Sequence, residues 1–420
     1  MLTPKAQSHS SLICIFFLNY NFFLLLAILK PNNFNMKKIN YFMILALSVI
    51  SVVFNACKKE EDETPTPDDT TITITEHITS STTWLASKTY IINGEIYVDG
   101  CTLTIEPGTT IKFGTWGSLN FGYDGNTTLV ANGTADKPIT FTSSATSPVA
   151  GAWDGLYFWQ YTLQNSSMTH CLIDYAGTNS RGAVCLIGCK ITFNNCTIKN
   201  AKTTGINCDY GTADFMSFNN NSISNCGTHA IEIYTHSIQN IGTGNTITCS
   251  SGYGIAVKDG SYNSTTSNTW KKQTVPYFIN STITIDGNLT IEAGSTFKFA
   301  AGTAMEIGYT SNTYFSAIGT TTEPITFTTS ATSPAPGGWN GIIFYAYTQS
   351  NSKMDYCNVT YGGFNGNTNN ANISLNDVNN MTISNCNISY SQAWGIYKNN
   401  SNFIDTGNTF SNNALGNINP

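Results

Sequence analysis

The sequence predicts an all-β protein: a right-handed parallel β-helix, a solenoid of three strands per coil, built from two tandem duplicated units behind a signal peptide and a tether. Three observations predict it. First, Leu103-Thr-Ile-Glu-Pro-Gly-Thr-Thr-Ile-Lys-Phe113 returns as Leu289-Thr-Ile-Glu-Ala-Gly-Ser-Thr-Phe-Lys-Phe299, and Pro138-Ile-Thr-Phe-Thr returns as Pro324-Ile-Thr-Phe-Thr, at a constant offset of 186 residues. Roughly half of residues 103–177 are identical in the second copy, without a gap, and repetition at a fixed period marks repeat architectures. Second, a finer ladder runs through each copy. Cys171-x-Ile173, Cys196-x-Ile198, Asn221-x-Ile223 and Asn245-x-Ile247 step by 25, 25 and 24 residues, and Ile206-x-Cys208, Ile231-x-Ile233 and Ile255-x-Val257 step by 25 and 24. Third, apolar residues alternate within each step, the two-residue period of a strand with one buried face, and helical periodicity is absent after residue 70. Strands one coil apart then pair in parallel at about 4.8 Å, so some 340 residues make about 13 coils and a rod of about 60 Å. A β-propeller also repeats, but its blades run about 40–45 residues.

In chain order, residues 12–29 are apolar and are followed by Lys30 and Pro31, and a second apolar stretch opens with Met36-Lys37-Lys38 and ends at Phe54-Asn55-Ala56-Cys57. A basic start, a short apolar core and small residues before a cysteine describe a signal peptide rather than a membrane span. The ending resembles a bacterial lipobox, with Phe54 in place of the usual Leu, which implies lipidation at Cys57. Residues 1–35 then precede the true start at Met36, residues 36–56 are the lipoprotein signal peptide, and 57–70 are a lipid-anchored tether. The alternatives are an ordinary signal peptide with an incidental cysteine and a transmembrane helix at 12–29. The tether carries Lys58-Lys59-Glu60-Glu61-Asp62-Glu63 and then two prolines, the composition of a flexible spacer. Lysines followed by acids after the cysteine resemble the export signal of surface-displayed lipoproteins in some Gram-negative bacteria; a spacer facing the periplasm is the alternative. The expected location is the outer membrane, at the cell surface, with membrane contact through the lipid alone.

Residues 71–275 form the first unit and 276–420 the second, in one continuous solenoid. The Leu-Thr-Ile-Glu-Pro-Gly run, Asp136-Lys137-Pro138-Ile139-Thr140-Phe141 and Trp153-Asp154-Gly155 resemble the right-handed β-helix lipoproteins of the pectate-lyase-like superfamily. That resemblance implies the fold and leaves the function open, because the fold carries lyases, hydrolases, adhesins and surface proteins of other kinds. Thr71-Ile-Thr-Ile-Thr75 and the segment around Trp84 are expected to close the N-terminal end.

Only 10% of the residues are charged against 41% apolar, the net charge is −6, and Arg181 is the sole arginine. A nucleic-acid partner needs clustered Lys and Arg, and the sequence has no such cluster. Ten cysteines follow the anchor. The stepping sets Cys171 above Cys196, Cys185 near Cys208, and Cys357 near Cys386, as buried thiols or as disulfides that export would permit. No spacing fits zinc, so no metal site is read.

Two functions compete. Columns on outer faces align Asn207, Glu232 and Ala256; Asp209, Tyr234 and Lys258; and Asp174, Lys199 and Ser224, with Arg181 on a nearby turn. If the protein is an enzyme, Asp174, Arg181, Asp209, Glu232 and Lys258 carry a polysaccharide lyase or glycoside hydrolase acting on acidic glycans, with Ca²⁺ only for a lyase. Carboxylates after residue 85 are scattered, whereas hydrolysis needs a pair at defined separation and calcium a cluster; the pectin-hydrolase signatures are missing. His170, His229 and His236 read as turn or surface residues. The favoured reading is non-catalytic: a polysaccharide-binding or adhesion surface using Asn207, Tyr234, Trp159, Tyr161, Tyr345 and Tyr347. Planar rings stack on sugar faces and offer large contact area, and Trp116, Tyr123, Tyr309 and Trp394 are further outward candidates. Trp153 and Trp339 recur beside glycines and are read as structural. A purely architectural envelope protein is the third possibility.

Overall fold

The structure is a computed structural model that describes residues 70–250, 252–263, 267–364 and 370–420. The expected start at Met36, the signal peptide, Cys57 and the tether up to residue 69 lie outside the described residues. Among the described residues no helix is long and apolar enough to cross a membrane.

Every strand pairing is parallel, and each strand pairs with the strand one coil away in the chain. One sheet of thirteen strands runs from Glu95–Val98 to Thr409–Ser411 and receives one strand per coil. Around the rest of the coil lie an eight-stranded and a six-stranded sheet in the N-terminal part, and a seven-stranded and a six-stranded sheet in the C-terminal part. Parallel strands joined by short crossovers wind right-handed. Thr71–Ile74 and Thr82–Trp84 form the first edges of the eight- and six-stranded sheets.

The inward column of the thirteen-stranded sheet shows why the ladder is legible. Ile96, Leu119, Leu156, Val184, Ile206, Ile231, Ile255, Tyr277, Phe297, Phe327, Val359, Ile388 and Phe410 stack in register. Rings stack on rings: Phe113 lies 3.9 Å from Trp153 and Phe299 4.1 Å from Trp339, both nearly parallel. Each indole donates to a backbone carbonyl, Asp174 for Trp153 and Thr360 for Trp339, so both tryptophans are structural.

Corners account for the asparagines. His170, Asn195 and Asn220 hold one corner in the left-handed region, and Tyr175, Asn200 and Asn225 hold the next; among non-glycine residues Asn adopts that region most readily. Beside the first corner, the Cys171 N–H donates to Cys196 Sγ (3.4 Å), the Cys196 N–H to Asn221 Oδ1 (2.9 Å), and the Asn221 N–H to Asn245 Oδ1 (3.0 Å). Each coil thus caps a backbone donor of the one before. The ten described cysteines are free thiols, nine of them buried. Cys171 sits under Cys196 as expected, but Cys185 pairs in register with Asn207 while Cys208 faces Leu186. Cys185 points outward and Cys208 inward, a consequence of the period-2 pleat.

One segment departs from the expected strands. Thr235–Asn240 forms a 3₁₀ helix in place of a strand, because Ile238 is its only apolar residue and no alternation exists to hold a strand there.

Candidate functional site

The outward side of the thirteen-stranded sheet forms one register column: Tyr97, Asn120, Tyr157, Cys185, Asn207, Glu232, Ala256, Phe278 and Lys298. At its N-terminal end the face is aromatic. Tyr97 and Tyr123 meet edge to face at 5.3 Å, Tyr123 and Trp159 at 4.9 Å, and the Trp159 indole N–H donates to Asn120 Oδ1 (3.1 Å). Tyr157, Cys185 and Ile187 are buried beneath Trp159, forming a small apolar cluster outside the main core. The Arg181 guanidinium lies over Trp159 at 5.1 Å and over Tyr157 at 5.6 Å, a cation–π arrangement. Among the described residues it has no carboxylate within ion-pair distance. Asn179 donates to the Tyr157 hydroxyl (2.9 Å), and burial pushes that hydroxyl's pKa upward. Tyr97 is also raised, first by burial and then by Glu95.

The loop that presents these rings depends on one glycine. Gly122 adopts φ +66°, and a Cβ there would drive into the backbone of Thr162. Without that side chain the Tyr161 N–H reaches the Gly122 carbonyl (3.1 Å), leaving Tyr123 and Tyr161 about half exposed (49% and 47%).

The second copy repeats the arrangement. Tyr309 and Tyr345 meet edge to face at 4.9 Å, the Tyr345 hydroxyl donates to Glu306 Oε1 (3.3 Å), and Gly308 at φ +66° brings Tyr347 against its carbonyl. Burial, followed by the Glu306 charge, pushes the Tyr345 hydroxyl up to about 12. Tyr309 and Tyr347 are exposed (55% and 50%).

Midway along the thirteen-stranded face the polar residues are already engaged. Lys258 Nζ donates to Asn207 Oδ1 (2.6 Å) and to the Cys208 carbonyl (2.8 Å), lies 3.9 Å from Asp209, and sits over the Tyr234 ring at 5.5 Å. Glu232 accepts from the Thr204 hydroxyl (2.8 Å). His229 accepts the Gly254 N–H on Nδ1, and burial lowers its pKa. The column Asn207–Glu232–Ala256 stands as read from the sequence, and so does Asp174–Lys199–Ser224.

Arg181 is on the turn after Asp174, as read, but its guanidinium serves a different face. Asp174 belongs to the eight-stranded sheet, pairs with Lys199 at 3.4 Å and accepts from Asn200 (2.8 Å), whereas Arg181 covers rings of the thirteen-stranded face. The five residues of the enzymatic reading therefore lie on two faces. The six residues of the binding reading fall into three places: Asn207 and Tyr234 are clipped by Lys258, Trp159 and Tyr161 belong to the first aromatic pad, and Tyr345 and Tyr347 to the second. Among the described residues no three of His, Cys, Asp and Glu gather as a metal ion would require.

Sequence reasoning missed Tyr97, Asn120, Tyr157 and Asn179 as pad residues. The repeat marks the exposed rings, since Tyr123 returns as Tyr309, Trp159 as Tyr345 and Tyr161 as Tyr347, but Tyr97, Asn120 and Tyr157 return as Ile283, Glu306 and Ile343, so repetition gave no signal for them.

A coil of parallel strands stacked around one continuous apolar core defines a β-helix protein. The family described as the pectate-lyase-like β-helix domain matches the chain twice, over residues 76–173 and 276–379, so the protein carries this domain in both halves. No curated protein and no solved structure matches the chain.

Proposed function

We propose that this protein is a lipid-anchored protein of the cell envelope, displayed at the outer surface, whose β-helix binds polysaccharide without cleaving it. The observation that carries the reading is the half-exposed aromatic pad of Tyr123, Trp159 and Tyr161, held rigid by its edge-to-face pair and the Asn120 hydrogen bond. Preordered rings cost little conformational entropy on binding, and Arg181 beside them, with no carboxylate in ion-pair distance among the described residues, supplies donors for sugar hydroxyls or carboxylates. The lyase or hydrolase reading has weaker support, since Asp209 and Lys258 bind one another's coil and Glu232 is held by Thr204.

Electrophoresis through gels containing polygalacturonate, xylan, mannan or β-glucan tests the reading. At least one glycan should retard the wild-type protein, and the paired substitution Tyr123→Ala with Trp159→Ala should weaken that retardation about tenfold with an unchanged far-UV spectrum. Retardation by none of the glycans, or release of unsaturated or reducing sugar, would overturn it. The anchor has its own check: radiolabelled palmitate should enter the wild-type chain expressed in a Gram-negative host and be absent from Cys57→Ser. Equal labelling of both removes the lipidation.

A further inference from the structure

The two aromatic pads do not face the same way. Trp159 follows strand Gly155–Phe158 of the thirteen-stranded sheet, while its counterpart Tyr345 follows strand Gly341–Phe344 of the seven-stranded sheet. The same displacement holds for the neighbouring strands: Ile139–Ser143 lies in the eight-stranded sheet, and its counterpart Ile325–Thr329 continues the thirteen-stranded one. Each repeated strand has moved on by one face of a three-faced coil. The cause lies in the offset of 186 residues, which at roughly 25 residues per coil is more than seven coils but not a whole number of them. The pads are thus a third of a turn apart around the axis and about 35 Å apart along it by the strand spacing.

A glycan lying straight along the thirteen-stranded face passes the first pad and never meets the second. The pads also differ in charge. Arg181 stands over Trp159 and Tyr157 in the first, while in the second Glu306 occupies the place of Asn120 and takes the Tyr345 hydroxyl. Arg181 gives a carboxylated sugar a cation at Trp159, on the opposite side of the first pad's rings from the Glu95 carboxylate that takes the Tyr97 hydroxyl, whereas Glu306 repels such a sugar at the second; a neutral sugar can stack on the second and give its hydroxyls to Glu306.

We infer that the protein is bivalent, holding two separate glycan chains at once on faces turned a third of a turn apart, an acidic glycan at the Trp159–Arg181 pad and a neutral one at the Tyr345–Tyr347 pad. This rests on the glycan-binding reading and adds to it number, direction and class.

The test uses the whole chain with beads of two colours, coated with polygalacturonate and with mannan. The wild-type protein should join the colours into mixed aggregates and be retarded in gels of either glycan. Arg181→Gln should lose about tenfold in retardation by polygalacturonate and keep that by mannan, and Tyr309→Ala with Tyr347→Ala should do the reverse; both variants should lose mixed aggregation. All three positions are exposed, so far-UV spectra should match wild type. If either variant loses both glycans together, or still joins the colours, two independent pads are refuted. A wild-type protein retarded by a single glycan without bridging beads coated with it keeps the glycan reading and removes bivalency, whereas retardation by no glycan removes both.

Discussion

Asp154 places a carboxyl against the thirteen-stranded face with one oxygen, Oδ1, buried and without a hydrogen-bond partner. Burial raises its pKa above the ordinary carboxylate value, opposed by the Thr178 hydrogen bond. Below that ordinary value the group is neutral in both states and costs nothing. As pH rises, the unfolded chain ionises first, so stability is lost through the window between the unfolded and the raised folded value. The second copy shows the alternative, since Asn340 stands at the same place and its Nδ2 donates to the Gly302 carbonyl (2.9 Å). Asp154→Asn should therefore match wild type in urea midpoint at pH 3 and exceed it at pH 7. A gain of the same size at both values would mean that ionisation is not the cause.

At the scale of the coil corner, backbone conformation and side-chain capping set the requirements. Asn220 sits at φ +56° and is exposed, stacked in the corner above Asn195 and His170. Asn220→Gly should leave the urea midpoint nearly unchanged, whereas Asn220→Val should cost about 1–2 kcal/mol; equal effects from both would show that the side chain, not the backbone angle, holds the corner. The adjacent inward position makes different demands. Asn221 Oδ1 accepts the Cys196 N–H and its Nδ2 donates to the Phe193 carbonyl, so it works through buried hydrogen bonds rather than through φ. These corners also explain how far sequence alone could see. Alternation tells inward from outward, and the 25-residue step tells which residues stack; hence Asn207–Glu232–Ala256 and Cys171–Cys196–Asn221 were readable in advance. Neither signal tells which of three faces an outward residue occupies, because that depends on the angle of each corner. Arg181 lies on the turn after Asp174, as read, but neither signal could show that its guanidinium covers Tyr157 and Trp159 of the thirteen-stranded face. Cys185 was misplaced by a single residue, which in a strand exchanges inside for outside.

For the whole molecule, stability is shared between neighbouring coils, because each coil touches only the ones above and below. The core is one unbroken column across both copies, and the thirteen-stranded sheet runs through them without a seam. A coil should therefore be removable if the register closes again. Leu172 pairs with Thr197 and Ile173 with Ile198, so deleting residues 172–196 joins Cys171 to Thr197 with each inward position meeting another inward one. The carbonyl of Asp174 that accepts the Trp153 indole is replaced by that of Lys199, the residue in register with it. This deletion should yield a folded, parallel-β protein with a sharp though lower urea midpoint, its rod shorter by about 4.8 Å in small-angle scattering. Deleting only residues 172–184 removes half a coil, brings a strand of one face onto another, and should abolish cooperative unfolding. If both deletions unfold alike, coil register is not what organises this molecule; if only the half-coil deletion fails, the solenoid is held by stacking between successive coils, and the direction in which each pad faces follows from how many residues lie between the two copies.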